Sequence, residues 1–392
     1  MLRDGSASSY LLKKEEFIKE LAFAVLLGIF IVGGLGTVEM GYVFHSGFVL
    51  GIILISVIYF GKKSLKFSSG MASFFLFLAA SVASFFWSKN LKMSYEVTIL
   101  FLTGGLIWLA FYNIGGFGKK YFIYIFEWFE KSILILGIFF GLLYIYNRFW
   151  GELDSIFALS LYLQDSPRHN HIGDLEAILL LISFPHILEK SRKKIIWFLI
   201  AVWSFIFLVI SHSRSAFLML IVGAYLLARN YGWIKKYKKL FRFVLVTSLI
   251  LFLAVGLQKS ILFSRDYYFQ TLAGLVHEPL GVGMGNFSFI SQDTRNHLFG
   301  LSSFSKFTHN IVLEAVSGMG ILSVFFIAWL IKAVRQALTV KGHKEFITPV
   351  IFLALTTNFL FDYTYFIPSM LWLWFASLAL LQGTKGYTEK DD

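Results

Sequence analysis

The sequence contains no cysteine and little charge: Asp, Glu, Lys and Arg together make up 15% of its 392 residues. Without cysteine, no disulfide can hold a loop, and no thiolate can serve as a nucleophile or a zinc ligand. Soluble domains are about 25% charged, so the low charge argues against a soluble fold of this length. The sequence also lacks an Asp-x-Asp motif and a histidine cluster with metal-ligand spacing, and we expect no metal and no other cofactor.

Apolar and aromatic side chains, in contrast, are abundant. Hydrophobic residues make up 57% of the chain and aromatic residues 19%, with 45 phenylalanines. This composition suits helices that pack among lipid chains, with aromatic rings near the two membrane interfaces. We therefore expect the lipid bilayer to be a partner of the chain.

Uncharged apolar runs of membrane-spanning length recur along the chain, and a bilayer core needs roughly 20 such residues per helix. The runs predict an all-α, polytopic membrane protein: a single membrane domain over residues 1–392 with about 12 transmembrane helices. The first run has no small-x-small cleavage site, so we interpret it as an uncleaved span. The predicted spans are 19–36, 43–60, 71–87, 94–113, 131–147, 175–189, 195–211, 215–229, 243–258, 309–331, 346–363 and 369–383.

Positive charge is distributed unevenly between the two sides of these spans. Most of the 35 lysines and arginines fall on the side that carries the N-terminus, and cytoplasmic loops show such an excess. The pattern predicts a multi-pass protein with both termini in the cytoplasm. The basic run at residues 235–239 then acts as a topology determinant, and we expect no nucleic-acid partner despite the net charge of +12.

Two segments on the outer side are too long to be simple turns, residues 148–174 and residues 259–308. Long segments without structure of their own are usually functional or disordered. The second segment lies between the ninth and tenth spans and sets Tyr267, Tyr268, Phe269 and later apolar residues at near-helical spacing among polar ones. This pattern predicts short helices, including an amphipathic helix on the membrane surface. We expect residues 259–308 to form a catalytic loop.

Cationic side chains on the outer side are candidates for binding an anionic ligand. Arg214 lies between the seventh and eighth spans at the edge of the hydrocarbon, where charge is costly and is usually paired or functional. Arg265 opens the long loop, and Arg168 and His169 lie in the other one. Guanidinium groups bind phosphate oxygens bidentately, so these arginines indicate a phosphate or diphosphate ligand. The alternative for Arg214 is a snorkelling side chain that only anchors the helix end.

His309 lies at the start of the tenth span and is a candidate general base, because a neutral imidazole accepts a proton near pH 7. The alternative is a structural histidine at the membrane interface. Asn310 and Glu314 are candidate supporting residues, since Glu314 follows Asn310 by about one helical turn. Glu314 either orients polar neighbours or fills a packing gap. The alternatives to His309 as the base are Glu314, Asp362 and the pair His169 and His171.

Residues 277–287, HEPLGVGMGNF, set three glycines behind Pro279. Glycines at this spacing allow tight turns and a close approach of the backbone to a ligand. Gly283 is therefore a candidate ligand contact, and the alternative is a turn that returns the loop to the membrane. No strand of a βαβ unit precedes the glycines, which excludes a Rossmann nucleotide site.

The order of four motifs resembles that of the O-antigen ligase and polymerase superfamily of integral-membrane glycosyltransferases: SHSRSA with Arg214, Arg265 at the start of the long loop, PLGVGMGNF from Pro279, and His309-Asn310 followed by Gly320. Together with twelve spans and a long loop before the tenth, the resemblance covers most of the chain. The chain is most like the O-antigen ligases. It departs from their pattern at Ser323, where they have Gly, Thr or Tyr.

The resemblance implies an enzyme of the bacterial inner membrane with a periplasmic active site. Its donor would be a glycan linked to undecaprenyl diphosphate and its acceptor a sugar hydroxyl of lipid A-core, with neither a nucleotide sugar nor an essential metal. By matching positions, the resemblance implies that His309 is the base and that Arg214 and Arg265 bind the diphosphate. Removal of the acceptor proton during attack on the anomeric carbon makes inversion the expected outcome.

Three other functions remain as alternatives. An O-antigen polymerase would use a second lipid-linked glycan as acceptor, and a protein O-oligosaccharyltransferase would use a protein. One type of polymerase has Gly eleven positions after an Arg in its outer loops, and Arg168, Arg214 and Arg265 all lack that Gly. A lipid-linked sugar transporter belongs to a different class, because transporters usually place ionisable residues near the bilayer midplane, whereas here they map to the outer interface.

Overall fold

The structure is a computed structural model, and the part of the chain that it describes is helical, with no strand in it. This confirms the all-α prediction for those residues. The described residues are 49, 51–53, 55–56, 65–68, 70–115, 119–150, 170–188, 193–211, 213–232, 266–297, 304–340 and 347–388.

We number the described helices in chain order, and short 3-10 turns follow or link some of them. The helices are α1 (Met71–Ala83), α2 (Leu91–Gly115), α3 (Lys119–Trp150), α4 (Asn170–Leu188), α5 (Lys194–Ser211), α6 (Arg214–Asn230), α7 (Asp266–His277), α8 (Phe287–His297), α9 (Ile311–Met319), α10 (Val324–Thr339), α11 (Ile347–Phe359) and α12 (Pro368–Thr388). The 3-10 turns are Ser84–Trp87, Gly320–Ser323 and Thr364–Phe366.

Several helices are long and apolar enough to cross a membrane, as the hydrophobic runs predict. Within the described residues, five segments meet that condition, and α1, α11 and α12 contribute shorter apolar helices. In a bilayer the backbone has no water to bond with, so a helix that satisfies its own N–H and C=O groups is favoured. The five long segments are Leu91–Asn113, Glu127–Tyr146, Asn170–Leu188, Lys194–Ser211 and Ile311–Thr339.

The predicted spans 19–36 and 243–258, and most of 43–60, lie outside the described residues. Of the others, the run 71–87 coincides with α1 and its 3-10 turn, and 195–211 with α5 to within one residue. The predicted span 309–331 is divided by the 3-10 turn at Gly320–Ser323. The total of twelve spans stays a prediction.

Helices α3 and α4 begin before the predicted spans because both include charged residues near their starts. Helix α3 begins at Lys119, before the predicted span 131–147, and continues through Glu130 and Lys131. The Glu130 carboxylate lies 3.3 Å from Nε2 of His186 on α4, and the Lys131 ammonium lies over the ring of Trp128. Helix α4 begins at Asn170, five residues before the predicted span.

Aromatic side chains fill the core between α1, α2, α10 and α12. Phe74, Trp108, Trp329 and Phe375 are buried, and their ring centroids lie 5.2 to 6.4 Å apart. Such pairs stabilise a fold beyond the area that they bury. Gly104 allows α2 and α12 to approach closely, since a Cβ at this position would overlap the Phe375 ring. Small residues at helix contacts are typical of membrane bundles.

The predicted loop 259–308 contains two short helices among its described residues, α7 and α8. The two helices pack on each other and on α9. Helix α7 is amphipathic, as predicted: Tyr267 is part-buried, while Phe269, Leu272 and Val276 are exposed. An exposed apolar stripe of this kind suits a helix that lies against lipid.

Cysteine labelling tests the predicted orientation. Because the chain has no native cysteine, Gln292→Cys on an exposed position of α8 and Thr339→Cys at the exposed end of α10 each add a single thiol. We expect a membrane-impermeant thiol reagent to label Gln292→Cys from the outer side, and Thr339→Cys only after the membrane is opened. Ser291 is unsuitable because it is buried and its hydroxyl accepts the Ser305 N–H. Labelling in the reverse pattern would contradict the prediction.

Candidate functional site

Polar side chains converge where several helices begin or end at one end of the bundle. The segment 307–310 before α9, the loop 360–363 after α11, and the starts of α4, α6 and α7 all contribute. These segments are far apart in the sequence, so only the fold assembles them. The cluster contains His309, the base that the sequence predicts.

The backbone of His309 has φ +52°, and among the described residues it is the one non-glycine residue with positive φ. Its imidazole lies between two tyrosines, with ring centroids 5.1 Å from Tyr267 and 4.7 Å from Tyr363. Nδ1 lies 4.0 Å from Oδ1 of Asp362, and 30% of the side chain is exposed. The ring is thus held on three sides while part of it stays open to a ligand.

Asn310 is the N-cap residue of α9, which begins at Ile311. Its Oδ1 accepts the N–H groups of Val312 (2.9 Å) and Leu313 (3.0 Å), which would otherwise be unpaired at the helix N-terminus. Its Nδ2 donates to the carbonyl of Leu360 at 3.0 Å. Asn310 therefore supports the site by fixing the residue that follows His309 to the loop that contains Asp362.

Glu314 fixes the residue that precedes His309. The carboxylate is buried, and its Oε2 lies 3.1 Å from the Thr308 N–H, 3.0 Å from the Thr308 hydroxyl and 3.3 Å from the Tyr365 hydroxyl. The sequence left open whether Glu314 orients polar neighbours or fills a gap, and these contacts favour the first. With Asn310, it clamps both neighbours of His309 and so maintains the positive φ between them.

Asp362 is the carboxylate that faces His309. It is buried, its Oδ2 accepts the Ser215 hydroxyl at 2.8 Å, and its Oδ1 accepts the backbone N–H of Tyr363 at 2.7 Å. Donors to a carboxylate stabilise its ionised form. The separation of 4.0 Å from His309 exceeds a hydrogen bond, and such contacts in ligand-free sites often shorten when the reacting complex forms.

Arg214 is the first residue of α6 and is exposed. The Ser213 hydroxyl caps this helix by accepting the Ala216 N–H at 3.2 Å, and Ser215, next to Arg214, donates to Asp362. The fold therefore brings the backbone of Arg214 to the same cluster as His309. The free N–H groups at a helix N-terminus also favour an anionic ligand.

Tyr363 and Tyr365, which lie at the 3-10 turn after α11, remain phenols at neutral pH. Burial, and then the neighbouring Asp362, raise the pKa of Tyr363 above its ordinary value. Burial raises the pKa of Tyr365 well above its ordinary value, and Glu314 adds to the effect. The two hydroxyls can therefore donate hydrogen bonds but do not serve as bases.

Asp174 of α4 is a second carboxyl group near Asp362, with which it interacts electrostatically. It is fully buried, and its Oδ2 accepts a hydrogen bond from Nδ2 of Asn358 at 2.7 Å. His171, one turn earlier on α4, points elsewhere: its Nε2 lies 3.2 Å from the Ser369 hydroxyl, and its ring is buried against Phe140. The burial of His171 argues against the alternative in which it acts as the base.

The glycine-rich turn packs against the protein. The N–H groups of Val282 and Gly283 donate to the carbonyls of Ser317 and Gly318 at 2.9 and 2.8 Å. Gly283 has φ +91°, and a Cβ there would lie 2.5 Å from the Ser94 hydroxyl and 2.6 Å from that of Ser88. These contacts favour the interpretation that the turn returns the loop to the bundle. Ligand contact by Gly283 stays a prediction.

Substitution of Gly281 tests how tightly this turn is packed. Gly281 has φ +78°, and a Cβ there would lie 2.6 Å from backbone atoms of Gly318, whereas Gly232 has φ +71° with nothing within 4 Å. Both alanine variants cost about 1–2 kcal/mol for the left-handed backbone. We expect Gly281→Ala to cost a further 1–3 kcal/mol, approximately, from overpacking. Thermal unfolding in detergent measures both, and equal losses would contradict the packing argument.

The other sequence-predicted residues, Arg265, Arg168 and His169, lie outside the described residues. Arg265 directly precedes α7, whose Tyr267 contacts His309. The sequence alone did not indicate a site role for Ser215, Asp174 or Tyr267, and it indicated Asp362 only as an alternative base. Polar residues at the ends of apolar runs are a signal that could have indicated Asp174 and Asp362.

In the described part of the chain, no three His, Cys, Asp or Glu side chains are grouped so that they could hold a metal ion. The chemistry available there is that of an imidazole with a facing carboxylate, and the exposed Arg214 begins a helix at the same cluster. Such a set can move a proton and bind an anion. No protein-family model matches the chain, and no curated protein matches it either.

Proposed function

We propose that the protein is a glycosyltransferase of the O-antigen ligase type in the bacterial inner membrane. It transfers a glycan from undecaprenyl diphosphate to a sugar hydroxyl of lipid A-core on the periplasmic side. The observation that carries this proposal is the contact between His309 and Asp362, beside the start of α6 with Arg214. The order of sequence motifs from Arg214 to Gly320 supports it.

In the proposed reaction, His309 acts as the general base. Because Nδ1 faces Asp362, Nε2 is the nitrogen that takes the proton of the acceptor hydroxyl. The acceptor oxygen attacks the anomeric carbon of the donor, the bond from that carbon to the diphosphate oxygen breaks, and the configuration inverts. The Asp362 carboxylate stabilises the imidazolium that forms, as a facing carboxylate does in other His-dependent enzymes.

Arg214 and Arg265 bind the diphosphate in this proposal. Negative charge accumulates on the leaving undecaprenyl diphosphate as the glycosidic bond breaks, and guanidinium groups already in position stabilise that charge. Arg214 is exposed at the start of α6, so it is accessible to a ligand. The charge stabilisation that some transferases obtain from a divalent cation is assigned here to the arginines.

Reconstitution with defined substrates tests the proposed function. The purified protein is incorporated into liposomes with an undecaprenyl-diphosphate-linked glycan, and lipid A-core is added. We expect a product in which the glycan is attached to lipid A-core, with inverted anomeric configuration by NMR. A longer lipid-linked glycan would indicate a polymerase instead, and transfer only to a protein would indicate a protein O-oligosaccharyltransferase. No transfer to any of these acceptors would refute the proposal.

A lipid-linked sugar transporter is the second candidate, and one observation favours it. Asp174 and Glu176 are fully buried on the membrane-length helix α4, and ionisable residues inside membrane helices often mark transport pathways. A transporter would move the lipid-linked glycan across the liposome bilayer without forming a glycosidic bond. An assay that measures both movement and bond formation separates the two functions.

A further inference from the structure

Asp174 and Asn358 form a buried pair with two hydrogen-bond acceptors left over. Nδ2 of Asn358 donates to Oδ2 of Asp174 and to the hydroxyl oxygen of Thr364, both at 2.7 Å. The two amide hydrogens are thereby used. Oδ1 of Asp174 and Oδ1 of Asn358 are both buried, and neither meets hydrogen-bond geometry with a described residue. The Thr364 hydroxyl also lies close to the Asp174 carboxyl group.

Two unpaired acceptors on one buried pair destabilise the fold, since a buried polar group without a partner has lost its hydrogen bonds to water. An ionised carboxylate cannot remedy this, because it has no hydrogen to donate. A protonated carboxyl group can: its O–H donates to the amide oxygen while its other oxygen accepts the amide N–H. One proton on Asp174 then gives both acceptors a partner.

The neighbouring Asp362 also favours a protonated Asp174. It interacts electrostatically with Asp174, and two adjacent carboxylates in a buried site are not both ionised readily. Asp362 has charge-stabilising donors in the Ser215 hydroxyl and the Tyr363 N–H, and it faces His309. The negative charge of the pair therefore belongs on Asp362.

We propose that Asp174 is a neutral carboxylic acid whose proton is held by Asn358, and that it acts as a positioning residue which confines the negative charge to Asp362. The proton of Asp174 stays in place during the reaction. Only the benefit to His309 rests on the proposed glycosyltransferase function. The protonation of Asp174 is a property of the folded protein and can be tested without any substrate.

Infrared difference spectroscopy of the full-length protein in lipid measures this proton directly. A protonated carboxyl group has a C=O band above the amide bands, and the band shifts in D₂O. We expect Asp174→Asn to lose one such band at neutral pH. Asp362→Asn should instead lose the bands of an ionised carboxylate. Loss of carboxylate bands alone in Asp174→Asn would overturn the proposal.

Two further variants separate protonation from packing. Asn in place of Asp174 can still exchange two hydrogen bonds with Asn358, so Asp174→Asn should unfold at nearly the wild-type temperature, whereas Asp174→Leu should unfold several degrees lower. Glu176→Gln, on the same helix, controls for signals from another buried carboxyl, and its difference spectrum should leave the Asp174 band intact. An Asp174→Asn protein as unstable as Asp174→Leu would contradict the paired arrangement.

If glycan transfer is established, the same variants test the link to His309. Asp174→Leu should slow transfer, and the conservative Asp174→Asn should recover most of the lost rate. Recovery of the unfolding temperature without recovery of the rate would mean that transfer requires the carboxyl group itself, and would contradict the proposal that its proton stays in place. If the wild type transfers no glycan, the proposed function fails, and the infrared band still decides the state of Asp174.

Discussion

His309→Ala is expected to lower the rate of glycan transfer by about 10²–10⁴-fold, the usual contribution of a general base. The variant should still fold and insert, because the side chain is 30% exposed and contributes little to the buried core. Residual turnover is expected because the arginines still bind the diphosphate and position the donor. The measurement is the initial rate of lipid A-core modification in proteoliposomes, with protein amount matched between samples.

The pH dependence of the rate identifies the role of the imidazole. In the wild type, transfer should decline on the acid side as the imidazole becomes protonated and can no longer accept a proton. His309→Ala should lose that acid limb. His277→Ala, at the exposed end of α7, is the matched control and should keep both the rate and the limb. A near-normal rate for His309→Ala would leave His309 with a structural role only.

A double variant tests whether Asp362 acts through His309. On the proposed mechanism, Asp362→Asn alone should slow glycan transfer, because the Asn amide stabilises the imidazolium less well than a carboxylate. In the His309→Ala background, the same change should add little further loss, since residues that act as a unit show strongly non-additive effects. Full additivity of the two losses would mean that Asp362 acts independently of His309.

Arg214→Lys and Arg265→Lys are each expected to lower transfer by about 10²–10³-fold, the cost of removing one positioned donor from a developing negative charge. Lysine keeps the positive charge but lacks the planar fork that binds two phosphate oxygens at once. Initial rates and donor KM should be measured for both variants. Arg229→Lys, at the exposed far end of α6, is the matched control and should keep the wild-type rate.

Full activity in both Lys variants would leave the arginines as anchors of their helix ends. A rise in donor KM with kcat unchanged would mean that they bind donor and transition state equally. A fall in kcat at saturating donor is the outcome that the proposal requires. Arg168→Ala should have a milder effect than either.

The helices could be predicted because a bilayer leaves a backbone few alternatives to internal hydrogen bonding. The run 195–211 therefore locates α5 almost to the residue. The predicted helix boundaries were wrong where a charged residue inside a helix has a partner on another helix. Glu130 is tolerated within α3 because His186 of α4 lies beside it, and no pattern within α3 indicates that neighbour.

The site was predictable only in part, for a related reason. His309 and Arg214 could be selected one at a time, from what an imidazole or a guanidinium does at a membrane surface. The partners of His309 depend on contacts between distant segments: Asp362 comes from the loop after α11, and Tyr267 from α7. Such contacts follow from how the helices pack, and a single sequence shows the helices without their packing.

On the proposed mechanism, the positive φ of His309 makes stability and activity compete at one position. A left-handed backbone costs a residue with a Cβ roughly 1–2 kcal/mol, and strained residues of this kind concentrate at functional sites. His309→Gly would relieve that strain, so this variant should unfold at a higher temperature than His309→Ala while lacking the same imidazole. A search for thermostable variants would therefore favour loss of this histidine, whereas selection for turnover would retain it.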